Sequence, residues 1–143
     1  MKSTIQSLEV SFLLHATEDG ERVCAAVRDL IAPQAQFEAE QMEGHFGNTI
    51  GKVGLHLDGE EATRAFGALV ASMPGTLRRQ FARDIDTLVD EHSSLYLRLD
   101  KQKLVNGTVD AGADDAVRFK VKPRAFLMHG HARDFFRGLL EGE

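Results

Sequence analysis

Apolar and polar side chains alternate over residues 7–15, with Leu8, Val10, Phe12 and Leu14 opposed to Ser7, Glu9, Ser11 and His15. That period of two predicts a half-buried strand. After the turn-rich Thr17-Glu18-Asp19-Gly20, Val23, Ala26, Val27, Leu30 and Ile31 follow helical spacing up to Pro33. A second strand is expected around Phe37 and Ala39, and a third through Ile50, Val53, Leu55 and Leu57, with a bulge where the phase slips at Gly51-Lys52. Asp58 and Glu61 have capping-box spacing ahead of the stripe Ala62, Ala65, Phe66, Leu69, Val70 and Met73, which Pro74 ends. A third helix should open at Thr76 and turn Leu77, Phe81, Ile85 and Leu88 inward. Alternation then returns at Leu95, Leu97 and Leu99 and again at Val117, Phe119 and Val121, separated by the turn signals Asn106-Gly107 and Asp110-Ala111-Gly112. Beyond Pro123 a last helix buries Ala132, Phe135, Phe136, Leu139 and Leu140. The order β-α-β-β-α-α-β-β-α with short links predicts an α+β fold, helices packed on a mostly antiparallel sheet.

Length changes this picture little: 143 residues, 43% hydrophobic, suit a single domain over residues 1–143 with a core of its own. No apolar run has the ~20 residues of a membrane span, and the opening MKSTIQSLEV lacks the basic-then-apolar order of a signal peptide, so the cytosol is the expected compartment. The one cysteine, Cys24, lies on a helix's apolar stripe and is expected to be a buried, inert thiol. A net charge of −5 excludes a protein that coats nucleic acid by bulk electrostatics. The charge is unevenly spread, however. Residues 1–91 hold 8 Lys/Arg against 15 Asp/Glu, whereas residues 92–143 hold 9 against 7, which places any anion site in the C-terminal part.

Three constellations invite chemistry. In Gly44-His45-Phe46-Gly47-Asn48 two glycines and an asparagine can aim backbone N–H groups at an anion, but a tight turn anchored by a buried Phe46 explains the same residues, and spacing alone favours the turn. His129 and His131, one residue apart, suit two ligands of a metal, yet a structural zinc site needs four, so no metal or other cofactor is expected. The adjacent Asp114-Asp115 face opposite ways if extended and are better explained by turn solvation than by paired-carboxylate hydrolysis. The third constellation is the outer face of the last two strands. If they pair, Arg98, Arg118, Lys120 and Lys122 share one surface with Tyr96, while Lys101, Lys103 and Arg124 lie just beyond its ends. Such a face suits RNA phosphates and a stacked base, or else it is an edge strand guarded against aggregation by cations. The residues alone leave both readings open.

Glu43-Gly44-His45-Phe46-Gly47-Asn48 after a β-α-β opening, Leu97-Arg98-Leu99-Asp100-Lys101-Gln102, the strand to Lys122-Pro123-Arg124, and Ala16-Thr17-Glu18-Asp19 before the first helix together resemble an archaeal family of RNA-binding proteins described as an exosome subunit. The resemblance spans nearly the whole chain. It implies a fold similar to the ribosomal protein that contacts 5S RNA, and a non-catalytic role in RNA processing or degradation with RNA, and other RNA-processing proteins, as partners. It also draws Gly44, His45, Gly47 and Asn48 into the expected RNA site beside the basic face. Thr49 stands where the family's loop usually has Pro, and Lys103-Leu104 replaces small residues, which leaves the loop less rigid and adds a cation. The competing expectation is a protein–protein adaptor of an RNA-processing assembly that touches no RNA itself.

Overall fold

The N-terminal alternation becomes β1 (Ile5–His15), and the chain continues through α1 (Gly20–Ile31), β2 (Glu38–Glu43), β3 (Thr49–Asp58), α2 (Gly59–Ser72), α3 (Gly75–Arg83), α4 (Ile85–Leu88), β4 (Leu95–Asp100), α5 (Lys101–Val105), β5 (Ala116–Pro123) and α6 (Ala132–Leu140). This computed structural model describes residues 4–15, 17–32, 34, 36–43, 49–124 and 131–141. The strands form one five-stranded sheet in the order β2-β3-β1-β5-β4, every pair antiparallel. The α+β class read from the sequence holds.

One sheet face is apolar. Leu8, Val10 and Phe12 of β1, Val53, Leu55 and Leu57 of β3, Val117, Phe119 and Val121 of β5, and Leu95, Leu97 and Leu99 of β4 join a single core with the buried stripes of the helices. α2 lies along β1, flanked by α1, while α3 and α6 meet beside it. Phe66 of α2 sets its ring edge-on to Phe136 of α6 with centroids 5.8 Å apart, an arrangement favoured by the ring quadrupoles. Cys24 is buried in this core, and burial pushes its thiol pKa up. Among the described residues no helix is long and apolar enough to cross a membrane.

Four local expectations are corrected. The β1–β3 pairing runs without a slip from Ser7 opposite Asp58 to His15 opposite Ile50, so there is no bulge at Gly51-Lys52; the irregularity lies between Ile5 and Ser7, where β1 meets β5. Asp58 makes no side-chain cap bond to α2, because its carboxylate is taken by His56 Nε2 at 2.7 Å. The expected third helix breaks at Asp84, whose φ of −93° and ψ of 13° leave the α-helical basin and split it into α3 and α4. A short helix, α5, stands where only turns were expected; Asp100 caps it by accepting from the Lys103 N–H at 2.9 Å, and Gly107, at φ +88°, follows it.

The start of α5 holds the largest departure. Lys101, expected just beyond a surface strand, is fully buried. Its ammonium has three donors, and all three are used: toward Leu13 O at 2.7 Å, Glu18 Oε1 at 2.8 Å and Asp115 Oδ1 at 2.8 Å. Gln102 Nε2 donates to the outer oxygens of the same carboxylates, Glu18 Oε2 at 2.9 Å and Asp115 Oδ2 at 3.2 Å. Asp115 is thus a structural ion-pair partner and not merely a solvated turn residue. Burial raises the Glu18 pKa, but hydrogen bonds from the His15 N–H, Lys101 and Gln102 outweigh it and leave the net value below the usual range. Asp115 is likewise lowered, with burial opposed by Lys101 and Gln102.

Because both carboxylates have depressed values in the folded state, their contribution is complete above the ordinary carboxylate pKa of about 4 and is lost as pH falls through the lower folded values. Lys101→Met is expected to lower stability by about 3 kcal/mol at neutral pH, since it strands the Glu18 carboxylate, only 17% exposed, and takes an ion-pair partner from the more open Asp115. In denaturant unfolding series the deficit should begin to shrink below about pH 4 and go on shrinking as pH falls through the lower folded values of the two carboxylates. A deficit that does not change with pH would show that the clamp contributes only packing.

Candidate nucleic-acid interface

The alternation that buries one face of the sheet delivers the other to solvent, and no described element packs on it. Register fixes what stands side by side. In one row His56 of β3, Glu9 of β1, Lys120 of β5 and Tyr96 of β4 lie across four strands. In the next row are Glu38 of β2, Gly54 of β3, Ser11 of β1, Arg118 of β5 and Arg98 of β4. The small residues Gly54 and Ser11 leave the middle low, and the face forms a trough of about 910 Å³ that includes Glu9, Lys52, Tyr96, Arg98, Arg118 and Lys120 in its walls.

The basic side of the trough has two parts. Arg98 and Arg118 are directly opposite across β4 and β5, both exposed. Among the described residues neither has a carboxylate within ion-pair distance; the Arg98 guanidinium reaches only the Ala113 carbonyl, at 3.5 Å. Two like charges facing each other destabilise a sheet, and a bound anion would relieve the conflict. Beside them the Lys120 ammonium lies 5.8 Å from the centroid of Tyr96, whose ring is 42% exposed. Tyr96 is steadied from below by Asp90. Burial raises the Asp90 pKa, but hydrogen bonds from the Ser94 N–H, the Tyr96 hydroxyl and the His92 N–H lower it on balance.

A family model described as RNA binding matches residues 7–123. The chain belongs to this family. The matched span contains the trough and all of the sheet but the first two residues of β1, Ile5 and Gln6. An RNA-binding protein of Pyrococcus abyssi is 31% identical to this member over 99% of this chain and 97% of its own length. A solved structure from Methanothermobacter thermautotrophicus has 31% identity and a TM-score of 0.78, covering 96% of this chain and 99% of that one. A Sulfolobus solfataricus structure, at 19% identity and TM-score 0.77 over 94% and 96% of the two chains, shares the fold.

The structure of this family member unites some of the expected site residues and separates others. Tyr96, Arg98, Arg118 and Lys120 converge on the open face, and Lys122, half-buried, continues their line opposite Ser7. β5 is interior to the sheet, so the guarded-edge reading does not apply to Arg118, Lys120 or Lys122; the edge strands are β2 and β4, and the 110–112 turn partly covers the rim of β4 through Gly112 N–H to Arg98 O at 3.0 Å. Lys101 is withdrawn into the interior by its three acceptors and is no part of a binding face. Lys103 is half exposed and paired with Asp110 at 2.8 Å, a hydrogen bond that raises the Lys103 pKa and lowers that of Asp110. Arg124 is exposed past the end of β5, where its N–H donates to Thr4 O. Gly44, His45, Phe46, Gly47, Asn48 and His129 lie outside the described residues, and His131 is exposed before α6. Glu9, Lys52 and His56 were missing from the expected site, although parity alone placed Glu9 on a solvated face.

The facing arginines give a stability test. Arg118→Gln should raise stability by about 0.2–0.5 kcal/mol in low salt, and the gain should fade as salt is added. Thermal unfolding at two ionic strengths measures it; a loss at both would mean the Arg118 stem packs more than its charge repels.

Proposed function

We propose that this chain is a non-catalytic RNA-binding protein that holds RNA in the open trough of its sheet. The observation that carries the reading is the pair of opposed guanidiniums of Arg98 and Arg118, with no carboxylate partner among the described residues, beside the Lys120-backed ring of Tyr96. Guanidiniums take phosphate oxygens in bidentate fashion, and an exposed aromatic ring takes the face of a base. Membership of an RNA-binding family and 31% identity to an RNA-binding protein support the same reading. With an overall charge of −5, the cations act as a local site within an acidic molecule. Steering at long range is therefore weak, and contact at short range does the binding. As its setting we propose an accessory factor of RNA processing or degradation beside the exosome, which is what the family resemblance in the sequence implies.

Replacing Arg98, Arg118 and Lys120 together by Gln is expected to change stability by no more than about 0.5 kcal/mol per site, because all three side chains are outside the core. On a single-stranded RNA the slope of log K against log salt should lose about 0.7 in magnitude for each phosphate contact removed. Tyr96→Ala should cost about 1–3 kcal/mol of binding by loss of stacking. Fluorescence anisotropy titrations across a salt series measure both. An unchanged affinity and slope in the triple variant would move RNA off this face and favour the protein–protein adaptor.

A further inference from the structure

The phosphate reading leaves two carboxylates of the trough unexplained, Glu38 on the edge strand β2 and Glu9 on the central strand β1, and Glu9 is the one next to the cationic side. It projects from the central strand into a face otherwise suited to an anion, where a carboxylate repels phosphate. Both of its lateral neighbours are basic in type, yet each is engaged elsewhere. His56 turns along its own strand to Asp58, 2.7 Å from Nε2 to Oδ1, and Lys120 lies over the Tyr96 ring. Among the described residues the Glu9 carboxylate accepts no hydrogen bond and joins no ion pair within 4.0 Å. It is exposed, with the low ground of Ser11 and Gly54 beside it, and it stands two strand spacings from Tyr96, about 10 Å.

A carboxylate can only accept hydrogen bonds. The Watson–Crick edge of guanine offers two donors side by side, N1–H and the N2 amino group, which match the two oxygens of one carboxylate. Adenine and cytosine present a single amino donor next to a ring-nitrogen acceptor, and uracil a lone N–H between two carbonyls. Such edges are open only in single-stranded RNA.

Resting on the RNA reading above, we propose that Glu9 is a specificity-determining residue that selects guanine in single-stranded RNA, with Arg98 and Arg118 on the phosphates and Tyr96 against a base. The residue lowers affinity for every other sequence by repulsion and recovers it for guanine through a bidentate, charge-assisted pair.

The test uses labelled oligouridine 12-mers that differ only in one central base, so that no guanine-run structure can form. The wild-type chain should bind the central-guanine RNA about tenfold more tightly than the all-uridine RNA, within the range of a good bidentate contact. Glu9→Gln should bind all-uridine RNA more tightly than wild type, because a negative charge is gone, while its preference for guanine falls to less than about twofold. Glu38→Gln, a carboxylate farther out on β2, should keep the wild-type preference. A wild-type chain with no guanine preference, a Glu9→Gln chain that tightens on both RNAs alike and keeps its ratio, or a Glu38→Gln chain that loses the ratio would each overturn the assignment. If the wild-type chain binds these RNAs and loses them in the Arg98, Arg118 and Lys120 triple variant, the RNA reading stands whatever Glu9 does. If it binds none of them, both fail together.

Discussion

The sheet depends on one buried ammonium. Lys101 ties the carbonyl of Leu13, near the end of β1, to Glu18 just before α1 and to Asp115 just before β5, while its own backbone N–H donates to Asp115 O at 3.1 Å. Two stretches far apart in sequence, residues 13–18 and 101–115, therefore meet at one atom. Removing an ammonium and two carboxylates from water is costly, and the geometry offsets that cost by satisfying all three ammonium protons and by giving the outer carboxylate oxygens Gln102 as a donor. Because the clamp grips β1, β4 and β5 at the same end of the sheet, it holds the register that puts Arg98 opposite Arg118 and Tyr96 opposite Lys120.

The open face shows the reverse balance. There the charges are left in conflict, two guanidiniums facing each other and, in the next row, a carboxylate without a partner among the described residues. The Lys101 clamp is satisfied and the open face is not. Unresolved charge at a surface costs little in water, where the dielectric is high, and it becomes decisive once a ligand displaces that water.

Most of the fold was legible in the sequence, because parity and helical spacing report directly on which side chains meet the core. Arg118, Lys120 and Lys122 alternate with Val117, Phe119 and Val121, and the sheet sends the two sets to opposite sides. Lys101 was illegible for the opposite reason. Within a basic stretch it reads as one more surface cation, and the acceptors that offset its burial include Glu18, 83 positions away, and Leu13, 88 positions away. The motifs Thr17-Glu18-Asp19 and Asp100-Lys101-Gln102, which carried the resemblance to a family, prove to be two halves of one clamp, so they report on architecture more than on ligand. The place of β1 in the middle of the sheet was equally hidden. Alternation says that Glu9 faces outward but not which strands flank it, and Glu9 becomes part of a site only once His56 and Lys120 are its neighbours.

That central position also sets the order in which the molecule is built. β1 pairs on one side with β3, complete by Asp58, but on the other with β5, where Ile5 meets Pro123. During synthesis β1 and β3 can close early, while the second edge of β1 waits unpaired for the last quarter of the chain. Contacts of such separation slow folding and leave a strand edge open to misassociation in the interval. The cationic side of the trough is therefore the last part of the sheet to exist, and a nascent chain displays Glu9 before it has any arginine pair to hold a phosphate beside it.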